Sequence, residues 1–292
     1  MKKVTYTFSV WLLKGIARLP LSVLYLFSDI MFFLMFYVVR YRHNVVLENL
    51  RGTFPDKNEK EIKKTARSFY RHFSDLIVES LKNIGDQGEH IRKRIRFTNP
   101  EVLSQNYDEG KSIILYSAHI GNWEWFNLLP VMFKFQAIAF YQPLSDSISD
   151  HLIKESRERY GLRAVPSAQA FKALKQLNDQ GIQTISLVLG DQSPAPNGTM
   201  VWVPFLNRET AFLVGAGKIA RKLRHEVIYP HFRKLKRGYY EVELIPVNPD
   251  QDDTSEYPYI RNYAGLLEEN IRKEPALWLW SHRRWKLKPE NL

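Results

Sequence analysis

Cysteine is absent from the 292 residues. Disulfides, thiolate metal sites and cysteine nucleophiles are therefore excluded, and a reducing compartment is compatible with the chain without being required by it. No internal repeat, low-complexity tract or clear linker divides the sequence, so it reads as a membrane element over residues 1–45 followed by one domain over residues 46–292. No small-x-small site follows the first apolar run, which argues against a cleaved signal peptide. Acidic residues are scarce: 31 Asp and Glu stand against 42 Lys and Arg, a formal charge of +11. Such an excess suits nucleic acid, anionic lipid head groups or an acidic protein, or simply coats the surface with solvated lysines. A membrane-tethered nucleic-acid-binding protein is the distant alternative. The chain carries no nucleic-acid fold signature, and its aromatics cluster with apolar residues, so no nucleic-acid partner is expected.

What is present begins with an apolar run, LPLSVLYLFSDIMFFLMFYVV, from Leu19 to Val39. As a helix it would be roughly 31 Å long, about the thickness of a bilayer core. Lys14, Arg18, Arg40 and Arg42 flank it. Asp29 sits in its middle, and a charge at bilayer centre costs ~2.5 kcal/mol or more. Either Asp29 faces protein or the interface, or the segment lies in the membrane surface; the bland alternative is a buried core helix. Beyond the break at Pro55 and Asp56, Ile62, Ala66, Phe69, Phe73, Leu76 and Ile77 recur at helical spacing among cations, which predicts an amphipathic helix.

From about residue 96 strands and helices alternate. Strands are expected over 112–118, 136–141, 184–189, 226–232 and 239–247. Helices are expected over 127–133, 147–160, 168–179, 211–224 and 257–273, with a surface loop over 248–258. The fold class is α/β: a mostly parallel mixed sheet with helices on both faces, preceded by the anchoring helix.

The stretch YSAHIGNWEW ends an apolar strand on His119 and places Glu124 five residues on. On one continuous helix these residues would lie about 140° apart and not meet. They meet if His119 ends the strand, Gly121 makes a tight turn, Asn122 caps the next helix and Glu124 lies in its first turn. Glu124 would then fix the imidazole tautomer and leave the other nitrogen as a base for a substrate hydroxyl. A lone His at a strand end is more often structural. A metal site lacks a third ligand at supporting spacing.

AHIGNWE closely resembles the H-x4-[DE] motif of the glycerolipid acyltransferase superfamily, in the form of its lipid A secondary acyltransferases, the bacterial lauroyl and myristoyl transferases. The likeness takes in RYRHNVVLENLRGTFP, YQPLSDSISDHLIKESRERYG, LVLGDQSP, VWVPFLNRETAF and PALWLWSHRRWK in the same order. It implies a glycerolipid acyltransferase-like fold and an enzyme at the cytoplasmic face of the bacterial inner membrane. It implies transfer of a fatty acyl chain from acyl carrier protein, or acyl-CoA, to a hydroxyl of a lipid A precursor. A lysophospholipid or amino-acid-containing lipid is the alternative acceptor, and no cofactor or metal is expected. His119 would be the general base, Glu124 its orienting partner and Arg157 the oxyanion stabiliser, with Arg159 second for that role. The spacing of two puts those arginines on different helix faces, so one at most points inward. Asn122, Trp123, Arg159, Asp191, Gln192 and Arg283 are expected at the substrate. Asp191 and Gln192 follow a strand, where α/β proteins commonly build their sites.

VWVPFLNRETAF is expected either to line an acyl slot and start a helix near Thr210, or to supply plain core through Phe205 and Phe212. Trp278, Trp280, Arg283, Arg284 and Trp285 would serve the membrane interface or a phosphate, or pack as a terminal helix. The chain departs from the family pattern at Pro204-Phe205-Leu206-Asn207, where Phe-Phe-Gly is common, and at the Ser-Pro-Ala-Pro loop. Both departures bear on chain length and acceptor.

Overall fold

The computed structural model describes residues 12–85, 88–141, 154–155, 157–195, 198–248, 257 and 259–289. Most of the expected helix over 147–160 and of the loop over 248–258 lies outside them. Helix α1, Leu21–Phe33, continues into a π-helical turn, Leu34–Val38. Leu21, Leu24, Ser28 and Phe32 form its buried stripe, at the three-and-four spacing of one helix face. The other side exposes Leu26, Phe27, Ile30, Phe33, Leu34, Tyr37 and Val38. The 18-residue stretch Leu21–Val38 is long and apolar enough to cross a membrane, and only 22% of it is buried, unlike a core helix.

Asp29 faces protein. Its carboxylate accepts two hydrogen bonds from the Arg237 guanidinium, which also binds buried Asp75. Ser28 donates to the same Asp75. Helix α2, His43–Thr53, leads to the long helix α3, Glu59–Gly85, against which α1 packs. The buried face of α3 holds Ile62, Ala66, Phe69 and Leu76 as the periodicity predicts, whereas Ile77 is exposed.

Among the described residues seven strands form one sheet in the order β1-β9-β8-β2-β5-β3-β4. They are β1 (Ile95–Phe97), β2 (Ile113–Ser117), β3 (Gln136–Tyr141), β4 (Arg163–Pro166), β5 (Thr184–Leu189), β8 (Glu226–Lys236) and β9 (Tyr239–Pro246). Every pairing is parallel except the β8–β9 hairpin. The central strand β2 is buried along its whole length, as a parallel strand covered on both faces must be. The helices between strands include α4 (Glu101–Asp108), α5 (Ala170–Asp179), α6 (Gly215–Leu223) and α7 (Ile260–Lys273).

A helix near Thr210 is not what forms. Met200–Phe205 (β6) and Arg208–Leu213 (β7) pair as an antiparallel hairpin, and α6 starts only at Gly215. The turn residues Leu206 and Asn207 both have positive φ, 51° and 64°, the geometry of a type I′ turn that matches strand twist. Phe205 and Phe212 pack edge to face at 5.3 Å and are closed in the core.

The terminal segment is not a helix either. Trp278 and Trp280 are buried, and residue 278 forms an isolated antiparallel bridge with Ile120. Arg284 is also interior, donating to the Ala211 carbonyl at 2.6 Å over the Phe212 ring. Burial holds its guanidinium down to about 10.

Candidate active site

Two neighbouring parallel strands build the site. Ser117 of β2 stands beside Leu189 of β5, so two residues further on His119 comes opposite Asp191. Both lie just beyond the carboxyl ends of their strands, where open α/β sheets hold ligands. The β2 end is fixed from behind by Tyr263 of α7, whose hydroxyl donates to the Ser117 carbonyl at 2.7 Å.

The terminal segment clamps the loop after β2. The Leu279 N–H donates to the His119 carbonyl and the Gly121 N–H to the Leu277 carbonyl. Gly121 has φ 63°, and a Cβ there would stand 2.3 Å from the Phe232 ring, so the loop passes where only glycine fits.

Asp191, only 2% exposed, accepts from the His119 backbone N–H at 3.0 Å and from His119 Nδ1 at 2.7 Å. Its second oxygen accepts from the Trp278 indole at 2.8 Å. Burial by itself would raise this carboxyl, but the His119 charge and these three donors outweigh it and hold it below its ordinary value. Because a carboxylate only accepts, the His119 proton sits on Nδ1 and the Nε2 lone pair is left open. Nε2 meets the amide of exposed Gln192 at 3.2 Å. The His119 side chain is 16% exposed, so Nε2 is within reach of a ligand.

Glu124 does not touch His119. Residues 123–128 form a 3₁₀ helix, and Glu124, at its second position, turns to Arg157. Glu124 accepts from the Trp123 indole at 3.1 Å and pairs with Arg157 at 3.3 Å. These two side chains are 23% and 18% exposed. Trp123 bridges the two groups, since its ring also meets the His119 ring edge to face at 5.0 Å. The expectation that Glu124 orients the imidazole is corrected: Asp191 holds that position.

Asn122 stands at the N-cap position of this helix, but its side chain makes no capping hydrogen bond and does not lie open to a substrate. It is fully buried, and its amide donates to Glu79 at 2.7 Å. Glu79 also accepts from the Tyr25 and Tyr240 hydroxyls, while burial pushes its carboxyl above the ordinary range. Asn122 thus props the loop from below. Arg159 is exposed two residues beyond Arg157, and Arg283 is exposed in a separate hollow near α2.

One role and one group escape the sequence. Trp278, expected at the membrane interface, at a phosphate or packed in a terminal helix, is the third donor to Asp191. His282 accepts the Ser193 N–H at 3.1 Å, and burial holds it down to about 4, so it stays neutral there. Among the described residues no group of three or more His, Asp or Glu side chains is arranged to hold a metal ion.

A mainly parallel α/β sheet with a His–Asp pair at its strand ends defines the class as an α/β protein with a site at the carboxyl edge. Residues 2–287 match the family model described as bacterial lipid A biosynthesis acyltransferase. The chain belongs to that family, and it is an acyltransferase. No curated protein sequence matches it.

Proposed function

We propose that this protein moves a fatty acyl chain from a thioester of acyl carrier protein, or of CoA, to a hydroxyl of a lipid A precursor, with His119 as general base. The observation that carries this reading is the asymmetry of the imidazole: Nδ1 is fixed by buried Asp191, while among the described residues Nε2 meets only the exposed Gln192 amide. The acceptor hydroxyl displaces that amide and gives its proton to Nε2 as its oxygen attacks the thioester carbonyl. Asp191 stabilises the imidazolium so formed. The tetrahedral intermediate collapses by breaking the carbon–sulfur bond, and the imidazolium returns its proton to the departing thiolate. Arg157, positioned by Glu124, offsets the charge on the carbonyl oxygen. Trp123 and Gln192 border the reacting groups, Arg159 borders the donor's entry, and Arg283 faces the head group.

Attack is direct, in a ternary complex, because among the described residues no side-chain hydroxyl is hydrogen-bonded to His119 Nε2. Helix α1 lies in the surface of the inner membrane on its cytoplasmic face. Its apolar side supports this placement, as does the docking of its midpoint on Arg237 of the β8–β9 turn. Crossing the bilayer would require carrying that hairpin and α3 into the hydrocarbon. The test is to incubate purified protein with labelled acyl carrier protein and, separately, a lipid A precursor, a lysophospholipid and an amino-acid-containing lipid. Transfer to the lipid A precursor is expected, and transfer to a glycerolipid alone rules the reading out.

A further inference from the structure

A hollow of about 660 Å³ lies where the apolar helix ends and α2 begins, lined by Arg40, Arg42, His43, Asn44, Val45 and Arg283. Its formal charges are of one sign. Arg51, Arg157, Arg237 and Arg272 each meet a carboxylate. Among the described residues none pairs with Arg40, Arg42 or Arg283. Arg42 gives one N–H to the Ser281 carbonyl at 3.0 Å and keeps its remaining donors. Arg40 and Arg42 both hold left-handed backbone, φ 51° and 50°, a conformation that side chains with a Cβ adopt rarely. The eleven-residue helix α2 starts at this point, adding the positive end of its dipole. His43 is held below its ordinary value by burial and then by the charges of Arg40, Arg51 and Lys63, a sign of positive potential.

Two features narrow what such a hollow holds. Phe33, Leu34, Tyr37, Val38 and Val39, immediately before Arg40, are exposed, so an anion here has an apolar surface alongside. The hollow is also tied to the base. Asn49 of α2 donates to the Trp280 and His282 carbonyls, and His282 accepts from Ser193, next to Gln192. The strand of chain that supplies Trp278 to Asp191 therefore also supplies Arg283 to the hollow.

We propose that this hollow binds a phosphate group carried by a membrane amphiphile, gripped by Arg40, Arg42 and Arg283. Identifying that amphiphile with the acyl acceptor rests on the acyltransferase reading above. The phosphate would then set which end of the acceptor is held and so which hydroxyl reaches His119. An acidic carrier protein would also seek arginines, but the adjoining apolar residues favour a lipid.

The test uses the full chain in neutral phosphatidylcholine nanodiscs, with Arg40→Gln and Arg283→Gln. Equilibrium binding is measured for a phosphorylated disaccharide lipid, its dephosphorylated form, inorganic pyrophosphate and acyl carrier protein. Losing one charge-assisted contact is expected to weaken the phosphorylated lipid about tenfold and leave the dephosphorylated form unchanged. Pyrophosphate competes on the native protein more weakly than the lipid binds, and Arg283→Lys recovers part of the loss. Equal weakening of both lipids overturns the proposal. So does pyrophosphate binding as tight as the lipid's, a loss confined to acyl carrier protein, or no loss in variants with native Tm. Arginine-dependent phosphate binding without acyl transfer to any acceptor would support the hollow and remove the catalytic reading.

Discussion

Replacing Asp191 by Asn tests the reassignment of the orienting carboxylate. The side chain keeps its shape and loses its charge. Native Asp191 takes two donors from His119 on one oxygen and the Trp278 indole on the other. An amide has one oxygen. If that oxygen faces His119, its NH₂ meets the Trp278 N–H, donor to donor. If it faces Trp278, its NH₂ meets the His119 backbone N–H and forces the imidazole proton onto Nε2, which destroys the base. Either orientation leaves one donor unsatisfied, at about 1–3 kcal/mol of stability. The rate effect comes from the missing charge. At 2.7 Å and an effective dielectric of about 20, carboxylate and imidazolium attract by about 6 kcal/mol. With the imidazole part-exposed, about half of that survives screening, which corresponds to two to three decades in kcat. The assay pairs single-turnover acyl transfer with ¹⁵N NMR of His119, which reports its tautomer directly. Glu124→Gln is the control: it acts through Arg157, so its loss should add to that of Asp191→Asn. If Glu124→Gln changes the His119 tautomer and Asp191→Asn leaves it intact, the geometry argued here is wrong.

Four further outcomes are expected. His119→Ala removes most turnover while circular dichroism and Tm stay native, and a folded variant with near-normal rate retires the site. Gly121→Ala combines a left-handed backbone with a contact on Phe232, so urea denaturation should show a loss of about 3 kcal/mol; a neutral result would mean that the loop relaxes freely. Arg237→Leu strips the main partner from Asp75, which is 1% exposed, and should cost about 3 kcal/mol, whereas Asp29→Asn, with its side chain 47% exposed, should cost about 1 or less. Because the Asp191 carboxyl is lowered on folding, its contribution is complete above the unfolded value near about 4 and is lost as pH falls through the folded value. The Tm gap between native protein and Asp191→Asn should therefore be flat at neutral pH and narrow in acid; a gap that widens in acid contradicts the sign.

Much of this architecture could be read from periodicity, because buried parallel strands write themselves as short apolar runs. The strands over 136–141 and 184–189 match the structure residue for residue. The hairpin of β6 and β7 escapes such a reading because Leu206-Asn207 lacks the glycine that usually marks its turn. The candidate base His119 is marked less by its place at a strand end, where a lone histidine is more often structural, than by the AHIGNWE stretch around it. Its partner was sought five residues along the chain, where a turn and a helix would have returned Glu124. Asp191 lies 72 residues away and is adjacent only because β2 and β5 are neighbours in register. Strand order is a tertiary property, and periodicity does not encode it.

The same distinction explains Asp29. A carboxylate inside an apolar run looks like a defect when the run is weighed alone, because its insertion cost belongs to an isolated helix. Here Asp29, Ser28 and Asp75 meet around Arg237, which sits on the turn between two strands some two hundred residues further on. The charge is a docking point that holds the apolar helix flat on its own domain. Helix α1 then turns its free side outward as a strip of Leu26, Phe27, Ile30, Phe33 and Leu34. That strip ends at the arginines of the hollow. A helix that spanned the bilayer would carry Asp29 about half the hydrocarbon depth away from Arg237. The pairing therefore makes a concrete demand: photo-crosslinkers at Phe27 and Ile30 should label lipid, while one at Leu24 should label α3. Lipid labelling at Leu24 would mean that α1 leaves the domain and crosses.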